Sequence, residues 1–183
     1  VSYNQHFLGH FTVEVLGELK HQLTSQVINF QNDFLGIEKR RWQLANDQDF
    51  PIIRSSQVSL GLHYNRKGWL ISGEGYYKYV KGITAQGQGF QNQYEYASAK
   101  GRYEALGLDF LIRKKWNDID TWLSYSNMEN HYSFDSFSEG WFPNNLEIYN
   151  SITFGSSLTL KDYKVALGCT WHSGRPTTSP VSG

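Results

Sequence analysis

Apolar and polar side chains alternate with a period of two along several stretches of this chain. Val58, Leu60, Leu62 and Tyr64 are interleaved with Gln57, Ser59, Gly61 and His63. Leu106, Leu108, Phe110 and Ile112 are interleaved with Ala105, Gly107, Asp109 and Arg113, and Leu111 is the apolar residue that interrupts the polar side. Near the end, Ile148, Ile152, Phe154, Leu158 and Leu160 oppose Tyr149, Ser151, Thr153, Gly155 and Thr159. Tyr163, Val165, Leu167, Cys169 and Trp171 then oppose Lys164, Ala166, Gly168, Thr170 and His172. Successive side chains of a strand point to opposite faces, so each stretch predicts a strand with one apolar and one polar face. Segments 7–16, 22–30, 69–80 and 119–127 follow the same rule less cleanly, giving eight expected strands.

The expected connections alternate in length. Tight turns are predicted at 16–20, 65–68, 116–118 and 161–162, and long polar stretches at 31–53, 82–101 and 132–147. Strands of about ten residues are long enough to cross a hydrocarbon layer when tilted. Short turns on one side and long loops on the other are the pattern of an up-and-down antiparallel barrel in a bacterial outer membrane. Aromatic residues gather where strands meet the tight turns, at Tyr64, Trp69, Trp116 and Tyr163. Amphipathic rings favour the headgroup level of a bilayer, so these four form one expected girdle, with Tyr77, Tyr79, Tyr132, Tyr149 and Trp171 as the other. The first and last strands would have their free ends on the long-loop side, unlike a finished barrel of this type. The expectation is therefore one barrel domain over 1–183 that forms only part of a wall, its neighbouring strands lying outside these residues.

Composition changes this picture little. Aromatics make up 16% of the 183 residues, a bias that suits a pleated surface. Seventeen basic and seventeen acidic side chains cancel, so the overall field gives no reason to expect nucleic acid as a partner. No run of 18 or more apolar residues predicts a membrane-spanning helix, and the first residues lack the pattern of a signal peptide. A barrel wall needs neither.

No catalytic constellation is expected. Cys169, the single cysteine, falls on the apolar side of its strand, where it is a small hydrophobe rather than a nucleophile. His6 and His10 are expected on one strand face, too far apart to share an ion, so neither a metal nor a cofactor is predicted. Glu74, Glu104, Asp109 and Asp120, with Lys78, Arg113 and Lys164, are expected to line or flank a hydrated interior. The candidate ligand-binding residues lie in two loops. Arg40, Arg41 and Trp42 combine charge with an aromatic ring and suit an anionic ligand or lipopolysaccharide phosphates. Phe90, Gln91, Asn92 and Tyr94 supply amides and rings for a polar solute; Gly87 and Gly89 near them lack the spacing of a phosphate cradle.

The segments 29–64, 76–115, TWLSYS at 121–126, FPNN at 142–145 and WHSGRPTT at 171–178 resemble the barrel of TonB-dependent outer-membrane receptors of the Bacteroidetes type. The most specific pieces are GLDFLIRK at 107–114 and SGRPT at 173–177. The resemblance implies a 22-stranded barrel closed by a plug domain. It also implies import of a scarce extracellular solute (siderophore, haem, vitamin, glycan or peptide), powered from the inner membrane through TonB. The implied partners are outer-membrane lipid, the plug, TonB and a surface lipoprotein that captures the solute. Neither plug nor TonB box is among these residues. Two other readings of the alternation stand beside it: a small complete eight-stranded barrel with a structural or adhesive role, and a soluble carbohydrate-binding β-sandwich.

Overall fold

The structure is a computed structural model that describes residues 1–29, 39–46, 51–85, 99–136, 140–143 and 147–175. It is all-β. Among the described residues eleven strands are formed: β1 (Ser2–Phe7), β2 (Phe11–Gln22), β3 (Thr24–Asn29), β4 (Lys39–Leu44), β5 (Ile53–Arg66), β6 (Trp69–Thr84), β7 (Lys100–Lys115), β8 (Ile119–Phe134), β9 (Phe142–Pro143), β10 (Asn150–Thr159) and β11 (Lys164–His172). The main sheet runs β1-β2-β5-β6-β7-β8-β10-β11, each strand antiparallel to its neighbour, with the short β9 added beside β8. β3 and β4 make a separate two-stranded sheet within the β2–β5 connection. β1 and β11 do not pair with each other, so the main sheet is open.

The connections keep the predicted rhythm but not every predicted position. The first tight turn is at 8–10, not at 16–20. Leu8 and Gly9 both take positive φ, 49° and 69°, which turns the chain there, and β2 continues unbroken through Gly17. The β5–β6 turn repeats this device, with Lys67 at φ 48° and Gly68 at φ 77°, a pair of left-handed residues whose twist matches a two-residue hairpin. The other short turns fall at 116–118 and 160–163. The segment expected as a wall strand at 22–30 is instead largely β3, paired in register with β4 (Val27 with Arg41, Gln26 with Trp42).

Register fixes the two faces. Leu62, Gly73, Phe110, Tyr125, Ile152 and Trp171 lie side by side across six strands. One residue further along, His63, Ser72, Leu111, Ser124, Thr153 and Thr170 make the neighbouring row on the opposite face. The alternation read from β5, β7, β10 and β11 is therefore a real sorting into an apolar and a polar face, and Cys169, paired with Phe154, is on the apolar one.

Burial is inverted relative to a water-soluble domain. On the apolar face Leu60 and Leu108 are each 59% exposed and Leu62 is 49% exposed. The buried residues at mid-sheet belong to the polar face: Ser59, Gly61, Ala105, Gly107 and Gly155. They are covered because large neighbours on that face lean over small ones: His63 over Gly61, Tyr76 over Gly107 and Trp122 over Gly155. The apolar side chains have no comparable cover among the described residues.

Among the described residues a conventional hydrophobic core exists only at the long-connection end. Val80, Ile83, Ala85, Ala99 and Phe134 are buried together, with Ile53, Tyr103, Tyr132 and Phe142 packed against them. β9 folds the β8–β10 connection back onto β8, bringing the Phe142 ring to 6.0 Å from Phe134. β6, β7 and β8, with 16 residues each, are long enough to carry this cap at one end.

Candidate functional site

The polar face is the broadest surface with chemistry on it. One row across it reads Glu14, Gly61, Glu74, Asp109, Ser126, Ser151 and His172. Glu74 and Asp109 are directly opposite each other, an arrangement of like charges that adjacent strands normally avoid. Ser126 donates its hydroxyl to Asp109, and His63 lies 3.6 Å from Glu14, so two of the three carboxylates have partners of their own. Toward the tight turns, Arg113 meets Asp120 in a two-pronged pair, its Nε donating to Oδ1 at 2.8 Å and its other prong reaching Oδ2. That geometry fixes both planar groups side by side. Beside it the Trp122 ring, Leu111 and the small residues Gly155, Ala166 and Gly168 leave a hollow of about 590 Å³.

Lys78 and Lys164 share this face, as the alternation predicts. Glu104 does not: it falls on the apolar side near the long connections, where it accepts a hydrogen bond from the Tyr77 hydroxyl at 2.9 Å. Tyr132, expected in an aromatic girdle, is on the polar side, packed against the cap with its ring tilted toward Tyr103 at 5.3 Å. Tyr149 stands between β9 and β10, outside any strand. His6 is in β1, where its Nδ1 is 2.7 Å from the Thr12 hydroxyl, whereas His10 is in the turn, so the two do not share a strand face.

Arg40, Arg41 and Trp42 are in β4, a strand rather than the loop expected there. Trp42 is exposed. Phe90, Gln91, Asn92 and Tyr94 lie outside the described residues.

One buried acid went unnoticed in the sequence. Glu147, between β9 and β10, is only 5% exposed. Its Oε1 accepts the backbone N–H of Asn130 in β8, while Oε2 is buried with no hydrogen-bond partner among the described residues. Burial raises its pKa above the usual glutamate range, partly offset by the Asn130 N–H, His131 and Tyr149; Glu129 adds to the rise. A raised acid binds its proton more tightly in the folded state, so stability from this contact is complete at acid pH and declines as pH rises through the shifted value. Glu147→Gln keeps an acceptor for Asn130 without the charge. Hydrogen exchange at the Asn130 amide should be slower in the variant than in the parent at neutral pH, with the difference vanishing in acid. No signal in the sequence around 147 marks this residue, because its burial depends on how the connection folds back.

No protein-family model, curated protein or solved structure matches this chain, so its surfaces and register carry the functional reading.

Proposed function

We propose that this chain is part of the wall of an outer-membrane β-barrel receptor of the TonB-dependent type, which admits a scarce extracellular solute through a plugged passage. The observation that carries the reading is the inversion of burial: leucines and phenylalanines are exposed along one face, and the covered residues on the other are serine, alanine and glycine. Water penalises such an apolar face at roughly 25 cal/mol per Å², and a bilayer removes the penalty. The strict segregation of tight turns from long connections agrees with the same reading. In it the polar row of Glu14, Glu74 and Asp109 looks into a hydrated interior, the long connections meet the solute, and the free edges of β1 and β11 pair with further strands of the wall. An eight-stranded closed barrel fits less well, since β1 and β11 are not joined. A soluble sandwich would need a second sheet over the exposed leucines, and none covers them among the described residues.

The single cysteine supplies the test. Cys169 is exposed on the apolar face, and Thr170 beside it is on the polar one. A fluorophore on Cys169 should be quenched by phospholipids brominated in their acyl chains. The same label on Cys169→Ser/Thr170→Cys should be quenched by iodide in water instead. Equal aqueous quenching at both sites removes the membrane reading. In cells carrying the whole protein, collapse of the inner-membrane proton gradient should stop solute uptake; uptake that persists would describe a passive pore.

A further inference from the structure

We infer that the apolar face carries a site for one anionic phospholipid, with a headgroup phosphate at Lys114 and an acyl chain in a groove over Gly73. The inference rests on the proposed contact of this face with lipid and adds a residue-level selectivity to it.

Two features on the same strands build the site. At the tight-turn boundary of the apolar face, register sets Trp69 beside Lys114. The Lys114 ammonium is 4.7 Å from the Trp69 ring centre and 5.9 Å from that of Trp116, held over both faces by cation–π attraction. It also donates to the Lys67 carbonyl at 2.9 Å, which occupies one of its three protons. The lysine is thus oriented and keeps donors for an incoming anion. Both indoles are exposed, as rings at headgroup depth are.

Further into the apolar face, Gly73 leaves a dent between larger neighbours. Phe11, Leu62, Tyr64, Ile71 and Phe110 wall a hollow of about 410 Å³ with almost no polar surface. Gly73 is four residues from Trp69 along β6, about 13 Å at the rise of an extended strand. That separation suits a glycerol backbone and the first part of an acyl chain lying down the sheet from a phosphate.

Charge selects the headgroup. Arg66 and Lys114 on the apolar side and Lys67 and Lys161 in the turns gather at the tight-turn end, against Asp118 and Asp162, while Asp120 is already paired with Arg113 on the other face. The chain as a whole is neutral, so this end is locally basic. A zwitterionic lipid carries its own ammonium, which would meet this rim unfavourably; a lipid with net negative charge would not.

The test uses the chain in detergent, titrated with phosphatidylglycerol or phosphatidylcholine brominated in the acyl chains, and read as tryptophan quenching. Half-quenching should require about fivefold less phosphatidylglycerol than phosphatidylcholine, the preference expected of one lysine at an anionic surface. Salt at 0.5 M should reduce that preference. Lys114→Gln should abolish it and Lys114→Arg should keep it. Gly73→Leu, whose side chain enters open space beside Phe110 with no backbone in its way, should weaken both lipids alike. Circular dichroism of each variant establishes that the sheet is retained. Equal affinity for the two lipids in the parent chain, or a preference that survives Lys114→Gln, overturns the site and leaves the membrane reading standing. Absence of quenching by either lipid overturns both.

Discussion

Leu108→Arg is expected to cost about 2–4 kcal/mol of stability when the chain is folded in phospholipid vesicles, the penalty for a guanidinium on a lipid-facing strand at mid-bilayer. The size of this effect discriminates between environments because Leu108 is already exposed. In water, an exposed leucine replaced by arginine changes stability by no more than about 0.5 kcal/mol, and the added charge favours solubility. Thr170→Arg, on the polar face of β11, is the matched control and should stay within about 0.5 kcal/mol in the same vesicles. Urea titration followed by tryptophan emission gives both numbers. A Leu108→Arg chain as stable as the parent in lipid would mean that hydrocarbon does not touch this face.

The second large effect belongs to the cap. Phe134 is 2% exposed and packs with Val80, Ile83, Ala85 and Ala99, so Phe134→Ala leaves a cavity and should cost about 3–5 kcal/mol. The loss should be local. The Ala85 amide, bonded to the Ala99 carbonyl at 3.0 Å, and the Asp135 amide, bonded to the Lys100 carbonyl at 2.9 Å, close the bases of two long connections. Their hydrogen exchange should accelerate strongly in the variant. The Lys115 amide, bonded to the Gly68 carbonyl at the tight-turn end, should keep its protection. Uniform acceleration at both ends would make the cap and the wall a single cooperative unit.

What the sequence discloses follows from which forces act locally. Period-two sorting is written residue by residue, so the faces of β5, β7, β10 and β11 were legible, as were the turns after Asn65 and Trp116. The first turn was not. Gly17 between Leu16 and Glu18 looks like a chain reversal, but its amide donates to the Val1 carbonyl across β1, and the left-handed pair Leu8–Gly9 makes the bend. β4 was hidden because KRRWQL is half basic and lacks the sustained apolar alternation of the main-sheet strands. The cap was hidden for the opposite reason. Ile83, Ala85 and Ala99 are scattered through polar stretches, and only β9 folding back reveals that they share a core. Its one local trace was strand length. Of the expected ligand-binding residues, Arg40, Arg41 and Trp42 changed from loop to strand, while Glu147, a buried acid between β9 and β10, has no sequence pattern at all.

The cap also bears on how such a wall diversifies. The stems at Ala85 and Ala99 are clamped by packed side chains and by the Ala85 amide bonded to the Ala99 carbonyl, which holds strand registration below them. Closing a loop of twice the length costs only about 0.6 kcal/mol. Residues inserted between Ala85 and Ala99 should therefore leave the register of β6 and β7 intact, whereas the same insertion at Lys67–Gly68 would break a left-handed hairpin with no slack to absorb it.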